Sequence, residues 1–125
     1  MTPLVLSAVT AFNLICTGTE ATGTLVDHRT THLTERPFTD VYRVDLLQRR
    51  WCRDACTETS LLEGLTATSI SFEHVDEPSL KYFRSAWTKR ETGEYMSMQQ
   101  TGDTITNHMG ECRRAAFGGF PPRKF

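Results

Sequence analysis

The stretch of residues 40–56 constrains the fold of this chain most strongly, because signals for a strand, a turn and a cysteine loop follow one another there. Residues 42–46 alternate between apolar and charged side chains. This period of two places the apolar side chains on one face of a sheet and the charges on the other. Residues 46–49 can then turn the chain, so that residues 50–52 return beside the first strand. The stretch therefore predicts a β-hairpin.

Further strand candidates lie along the rest of the chain, and most are joined by turn formers. Thr92-Gly93 is a turn-forming pair between two of them and predicts a second hairpin. Residues 26–39, by contrast, lack a sustained period and are rich in turn formers, which predicts a loop or an irregular edge. The other strand candidates are residues 12–16, 66–74, 85–90, 94–100 and 105–112.

Short antiparallel strands joined by tight turns predict an all-β fold, a small antiparallel meander that closes into a barrel or half-barrel. A β-sandwich is the alternative, with residues 26–39 as the crossing connection. At 125 residues, one β domain over residues 12–125 is expected. Fourteen Lys and Arg against fifteen Asp and Glu give a net charge of −1, which argues against a nucleic-acid partner.

Four cysteines in a chain of this size predict disulfides. We favour a pair between Cys52 and Cys56, which would close the short loop after the hairpin. We also favour a pair between Cys16 and Cys112, because the first and last strands are neighbours when a sheet closes on itself.

A zinc site is the competing interpretation, since Cys52 and Cys56 together with His28 and His32 have spacings that zinc ligands use. The histidines precede the cysteines, however, which reverses the usual finger order. Thr30-Thr31, between the histidines, is also a poor helix interior. The sequence therefore favours disulfides and predicts no metal and no cofactor.

The first eleven residues provide evidence on the cellular location of the protein. They are apolar and end with Val9 and Ala11, small residues at the −3 and −1 positions of a signal-peptide cleavage site, but they lack a positive start. Residues 1–11 are thus interpreted as a signal-peptide remnant or as an extension of the first strand. No other apolar run approaches the length of a transmembrane segment. With the cysteine pattern, this favours a periplasmic or secreted protein.

Catalytic signatures are weak. The chain has no G-x-S-x-G elbow, P-loop or G-x-G-x-x-G motif, so nucleophilic and nucleotide chemistries lack their local signals. His74 and His108 each lie in a strand candidate, and either could form an acid–base centre with Glu73 or Asp76 across the sheet. Solitary strand histidines are more often structural, so no catalytic residue is assigned.

Two further regions are assigned roles: the C-terminal segment is expected to pack on the barrel, and a charged cluster is expected to bind a partner. In the C-terminal segment, Phe117 and Phe120 are expected to cap one open end of the barrel and to leave residues 123–125 free, because their burial can offset the ordering of the backbone. A charged cluster near the cysteine loop is a candidate binding surface, formed by Arg43, Arg49, Arg50, Trp51 and Arg53.

Three motifs span most of the chain: Phe12-x-Leu-x-Cys-x-Gly, Tyr42-Arg-Val-Asp-Leu with Arg50-Trp-Cys-x-x-x-Cys, and Gly110-x-Cys-x-x-Ala-x-Phe-Gly-Gly-Phe-Pro. Together they resemble a family of small exported bacterial proteins of no assigned function. An opening strand that ends in a cysteine, a meander and a cysteine in the last strand are also distantly similar to the small periplasmic barrels that inhibit C-type lysozyme. That similarity implies a barrel, but the chain lacks the Ser/Gly-rich, Lys-bearing loop with which those inhibitors enter the lysozyme cleft.

The function favoured by the sequence is a binding or inhibitory module of the bacterial envelope, without catalytic activity, whose partner is a protein or a small-molecule ligand. The first alternative is a small barrel-type hydrolase or isomerase that uses a strand histidine. The second alternative is a structural protein of the envelope.

Overall fold

A computed structural model describes residues 9–54 and 56–121. The described chain is built from strands, with one short 3₁₀ turn at Pro78–Leu80. No helix in the described ranges is long and apolar enough to cross a membrane. The strands are β1 (Ala11–Val26), β2 (Arg29–Asp45), β3 (Arg50–Arg53), β4 (Ser60–Leu61), β5 (Gly64–Leu65), β6 (Ser69–Glu77), β7 (Tyr82–Lys89), β8 (Glu94–Thr101) and β9 (Thr104–Ala115).

All nine strands belong to one antiparallel sheet in the order β4-β3-β2-β1-β9-β8-β7-β6-β5, and the sheet curls through 299° into a half-barrel. Each strand lies beside its neighbour in sequence, and the first strand pairs with the last. The only interruption of this sequential order among the described strands falls between β4 and β5. The all-β meander predicted from the sequence is therefore confirmed.

The break in the sheet is the gap between its two edge strands, β4 and β5. The short segment that joins these strands bridges the gap at one point along the half-barrel axis. The amide of Leu62 donates to the carbonyl of Arg49, and the amide of Glu63 donates to the carbonyl of Phe72, at 2.8 and 3.3 Å. The two sides of the break are thus held together near one end of the half-barrel. β3 pairs with β2 only from residue 42 to residue 45. Beyond that level, towards the tip of the β1–β2 hairpin, the described strands leave the break open.

The prediction of a loop over residues 26–39 is wrong. Asp27 and His28 have φ values of 48° and 62° and form the two-residue turn of a long β1–β2 hairpin. Positive φ at both central residues gives a turn whose twist matches the flanking strands. Most of β2 from residue 29 to residue 37 is solvent-exposed on both faces, so it needs no apolar alternation and left no periodic signal.

The two predicted hairpins are confirmed. Val44 lies opposite Trp51 in the pairing of β2 with β3. The second hairpin joins β7 and β8, and its turn contains Gly93 at φ 75°, a backbone conformation that favours glycine. Because the apolar side chains of each strand point inward, the first hairpin places Tyr42 and Trp51 in the core, and the second places Ala86 and Tyr95 there.

Two glycines allow the sheet to close tightly. Gly18 and Gly110 face each other across β1 and β9, and a Cβ on either would clash with the backbone of the opposite strand. Phe38 pairs with Gly18 on one side, and Tyr95 pairs with Gly110 on the other. With no side chains between them, the two rings approach to 6.0 Å between centroids. An aromatic layer therefore spans four strands.

The core is apolar in its lower half, nearest the start of β1. There Tyr42 stacks on Phe72 at 4.0 Å between ring centroids, and Trp51 meets Phe72 edge to face at 5.5 Å. The indole N–H of Trp51 donates to the carbonyl of Leu61, so its polar atom is satisfied. Phe12 and Leu14 continue this layer from β1.

Both favoured disulfides are present, Cys16–Cys112 and Cys52–Cys56. Cys16 and Cys112 are direct partners across β1 and β9. Cys52 and Cys56 cannot serve as thiolate ligands while they are bonded to each other. His28 and His32, the other half of the alternative zinc set, lie at the far tip of the β1–β2 hairpin.

The C-terminal segment does not enter the barrel, so its predicted role as a cap is wrong. The amide of Gly118 donates to Asn13 Oδ1, and Arg43 Nη1 donates to the carbonyl of Gly119, both at 3.0 Å. Asn13 and Arg43 are cross-strand partners that alternate with buried residues, so they face outward. Phe117 and Phe120 pack on each other outside the sheet, at 5.1 Å between ring centroids. Residues 1–8 and 123–125, which carry the remaining terminal predictions, lie outside the described ranges.

Candidate functional site

Charged side chains occupy the interior of the half-barrel above the aromatic core. This interior network lies on inward positions of seven strands and is continuous through hydrogen bonds and ion pairs. Its members are Glu20, Arg36, Asp40, Tyr42, Arg53, Glu73, Arg84, Tyr95 and His108. Burying a charged group costs folding free energy unless the group is paired, so the pairing within this network decides whether the fold tolerates it.

His108 lies between two carboxylates. Its Nδ1 is 2.6 Å from Asp40 Oδ2, and its Nε2 is 2.6 Å from Glu20 Oε2. An ionised carboxylate can only accept, so each contact needs a hydrogen. Phe38 stacks on the imidazole at 4.2 Å between ring centroids, which fixes the plane of the ring.

The network continues from Asp40 through two tyrosines. Tyr95 donates to Asp40 Oδ2 at 2.9 Å, and the hydroxyls of Tyr42 and Tyr95 are 2.5 Å apart. Arg53 Nη2 donates to the hydroxyl of Tyr42. Because Tyr95 gives its hydrogen to Asp40, Tyr42 must donate to Tyr95. Desolvation by burial raises the pKa of Tyr42 to about 12 and also raises the pKa of Tyr95, so both hydroxyls keep their protons.

Glu73 connects the two sides of the break in the sheet. Its carboxylate lies 3.2 Å from Arg84 Nε on β7 and 3.8 Å from Arg53 Nη2 on β3. Arg53 Nε is buried and has no hydrogen-bond partner among the described residues. These ion pairs are partly exposed, so each contributes little alone. Their effect is to orient the Arg53 side chain towards Tyr42.

Glu20 makes folding sensitive to acid. The hydrogen bond from His108, followed by that from Arg36, lowers the pKa of Glu20 below its ordinary value of 4.5. A carboxyl whose pKa is lowered in the folded state stabilises that state above its unfolded pKa and loses this contribution as the pH falls through its folded pKa. We therefore expect the urea midpoint of the protein to fall below about pH 4.5, and to fall less in Glu20→Gln. Identical pH profiles for the two proteins would contradict this assignment.

A cavity of about 380 Å³ opens at the other end of the half-barrel, beside the β7–β8 turn. We call it the end cavity. Its floor is apolar and includes Phe12, Leu14 and Ile70, all of them buried core residues. Leu46 and Cys112 extend the apolar wall. The volume lies within the range of small-molecule sites in proteins.

The rim of the end cavity is charged. Lys89, Arg90, Glu91 and Arg114 line it. Lys89 is paired with Glu94, which is outside the cavity, at 3.1 Å. The remaining rim charges are two guanidinium groups against one carboxylate. The guanidinium of Arg114 lies 6.0 Å from the centre of the Phe12 ring, so a positive charge sits directly above the apolar floor.

The five residues of the candidate binding surface do not form one surface. Trp51 is buried, with 7% of its surface exposed, and Arg53 points into the interior network. Arg43 faces outward and holds the C-terminal segment, while Arg49 lies in an exposed turn. Arg50 is half-buried and donates to Thr59. These residues are close in sequence but separated in the structure, because successive residues of a strand point to opposite faces of the sheet.

The strand histidines also differ from their predicted pairing. His108 binds Asp40 and Glu20 instead of Glu73 or Asp76, because β9 lies beside β1 and far from β6 in the sheet. His74 is exposed and meets the edge of Phe83.

Sequence reasoning missed Glu20 and Asp40 as site residues, although a usable signal existed. Asp40 falls in the same phase of its strand as Phe38, Tyr42 and Val44, which are all buried. A charged residue in the apolar phase of a strand indicates an interior charge that needs a partner. Within residues 9–54 and 56–121, no cluster of three or more His, Cys, Asp or Glu side chains has the geometry to hold a metal ion.

Comparison of this chain with known proteins found no matching family model, no matching curated protein and no matching solved structure, so the geometry described above carries the functional argument.

Proposed function

We propose that this protein is an exported binding module whose end cavity takes a small anionic amphiphile, such as a medium-chain fatty acid or an aryl carboxylate. The observation that carries the proposal is the combination of an apolar floor with an excess of cationic groups at the rim of one cavity. Such a cavity matches a ligand with an apolar body and one negative end.

The floor supplies the driving force for binding. Phe12, Leu14 and Ile70 present apolar atoms that are already held in place by the core. Each square ångström of ligand apolar surface that leaves water contributes about 25 cal/mol. A preformed site also avoids the cost of ordering its own side chains on binding.

The rim supplies the preference for charge. Arg90 and Arg114 outnumber the one carboxylate left at the rim, that of Glu91, once Lys89 is paired with Glu94. Arg90 Nη1 donates to the carbonyl of Thr66 at 2.9 Å, so we assign the contact with the ligand to Arg114. Guanidinium groups bind carboxylates with two parallel hydrogen bonds, which orients the ligand as well as attracting it. A cationic amphiphile of the same length would meet repulsion at the same rim.

The two disulfides support the location that we propose, the periplasm or the exterior of a bacterial cell. Disulfides form and persist in oxidising compartments and are rare in the cytosol. A binding module exposed to such an environment gains from covalent links that prevent its sheet from opening.

An acid–base enzyme has less support than a binding module. Both ring nitrogens of His108 are occupied by carboxylates, so neither is left to exchange a proton with a substrate. His74 contacts Phe83 on the outside of the sheet, and no carboxylate of the described residues forms an ion pair or hydrogen bond with it.

Isothermal titration calorimetry with decanoate tests the proposal. We expect saturable binding by the full chain, and binding of decyltrimethylammonium at least about tenfold weaker, since a favourable rim contact of about 1.4 kcal/mol corresponds to tenfold. Arg114→Gln should weaken decanoate binding by about the same factor. Arg113→Gln is the matched control, because Arg113 lies opposite Ile15 on the outer face of the same strand, whereas Arg114 lies opposite buried Leu14.

Three results would overturn the proposal: no saturable decanoate binding, equal affinity for the cationic amphiphile, or equal losses in the two arginine variants. Circular dichroism of each variant confirms that the fold is retained before affinities are compared.

A further inference from the structure

A second cleft lies on the convex face of the sheet, on the opposite side of the β7–β8 turn from the end cavity. This outer cleft has a volume of about 370 Å³, and Trp87 forms one wall. Its other walls carry the hydroxyl side chains of Thr68, Ser69, Ser71 and Thr92. Thr92 also lines the end cavity, whereas Trp87, Thr68, Ser69 and Ser71 do not.

Strand register places these side chains together. Ser71 lies directly opposite Trp87, and Ser69 directly opposite Lys89, in the pairing of β6 with β7. Trp87 alternates with Ala86 and Thr88, which are buried, so the indole points out of the barrel. The aromatic face and the row of hydroxyls are thus fixed by rigid strands and need no rearrangement to receive a ligand.

We propose that the outer cleft binds a neutral saccharide, with a sugar ring against the face of Trp87 and its hydroxyls bonded to the serine and threonine side chains. A pyranose ring has an apolar face of C–H groups that can cover an aromatic ring, and equatorial hydroxyls that both donate and accept. Serine and threonine hydroxyls likewise act as donor and acceptor. The two sets of groups therefore satisfy one another.

The hydroxyl walls argue against an apolar occupant. Covering Ser71 with an apolar side chain would remove water from its hydroxyl without replacing the hydrogen bonds, which costs free energy. The hydroxyl of Ser69 would keep only its 3.0 Å hydrogen bond with Thr66 Oγ1. An apolar peptide fits better in the neighbouring groove on the far side of Trp87, which is lined by Phe83, Met96 and Met98. Ser85 is the one hydroxyl residue among those that line that groove, against four hydroxyl residues in the outer cleft.

Charge also favours a neutral ligand. Lys89 borders the outer cleft but is bound to the carboxylate of Glu94 at 3.1 Å, and the other charged wall residue is Glu91. No cationic excess remains to attract an anion, in contrast to the rim of the end cavity. Saccharide binding in the outer cleft therefore stands independently of the proposed amphiphile binding.

The test uses the indole N–H signals of the two tryptophans in ¹⁵N-labelled full chain. Trp51 is buried and Trp87 faces outward, so the two report on different environments. Titration with cellotetraose and maltotetraose should shift the Trp87 signal along a saturable curve for at least one of them, with a Kd on the order of 1 mM, while the Trp51 signal stays fixed. Trp87→Phe assigns the two signals.

Variants separate the outer cleft from the rest of the surface. Trp87→Ala should weaken saccharide binding at least about tenfold and leave decanoate binding unchanged. Met98→Ala, which removes outer-face surface from the neighbouring groove, should leave saccharide binding unchanged. The proposal is overturned if neither tetrasaccharide shifts the Trp87 signal at about 20 mM, if both tryptophan signals move equally, or if Met98→Ala weakens binding as much as Trp87→Ala.

Discussion

Replacing Cys16 and Cys112 together by alanine is expected to lower the free energy of unfolding by about 5 kcal/mol, and the melting temperature by about 15 °C. The disulfide joins residues that are 96 apart in sequence, so it removes much conformational entropy from the unfolded chain. It also joins the first strand to the last at the point where the sheet closes. Differential scanning calorimetry of the double variant measures the loss.

The Cys52–Cys56 disulfide provides the matched control. Its cysteines are 4 apart in sequence, for which the same entropy relation gives about 2 kcal/mol. The double alanine variant at these positions should therefore melt well above the first. If the two double variants lost the same stability, the long disulfide would have no special role in holding β1 against β9.

Replacing Asp40 by alanine is expected to cost about 3 kcal/mol or more, because it removes one partner from a buried network of charges and hydrogen bonds. Asp40 is 7% exposed and accepts hydrogen bonds from Tyr95 and from His108. Without it, a tyrosine hydroxyl and an imidazole N–H lose their acceptor in the interior. Urea denaturation followed by circular dichroism measures the change.

Two variants make this result specific. Asp40→Asn keeps the size and an acceptor oxygen, so it should cost less than Asp40→Ala. Asp103→Ala removes a carboxylate that pairs with Lys81 at the surface, where both side chains are more than half exposed, and should change the stability by no more than about 0.5 kcal/mol. Equal losses for Asp40→Ala and Asp103→Ala would show that the interior network does not stabilise the fold.

The fold could be predicted from the sequence wherever a strand buries one face. The hairpin from β2 to β3 left a clear period of two because Tyr42, Val44 and Trp51 all enter the core. Residues 29–37 left no such period, because both faces of that part of β2 are exposed apart from the half-buried Thr31. The positive φ values at Asp27 and His28, which allow the hairpin turn, come without a glycine and so gave little turn signal.

The interior network could not be assembled from the sequence, because it depends on which strands are neighbours. His108 meets Glu20 only because β9 closes on β1. The contact between Phe38 and Tyr95 also depends on residues far apart in sequence. It forms because Gly18 and Gly110, on the first and last strands, leave space between the two rings. The end cavity likewise combines residues from both ends of the chain with the β7–β8 turn.

The interior network also explains why the apolar part of the barrel interior is confined to one end. Tyr42 and Tyr95 lie at the boundary, with their rings in the aromatic core and their hydroxyls in the network. A ligand that enters the end cavity thus meets an apolar floor and is separated from the carboxylates of Glu20 and Asp40 by the packed rings. An anionic ligand would be repelled by those carboxylates if the cavity extended further.

Where decanoate binds can be measured from intermolecular nuclear Overhauser effects between the ligand and ¹³C-labelled protein. We expect contacts from the terminal methyl group of decanoate to Ile70 and Leu14, and from the methylene next to the carboxylate to Arg114. Contacts confined to outer-face residues such as Phe83 and Met98, or no contacts at a concentration that saturates the calorimetric signal, would contradict the assignment of the end cavity as the ligand site.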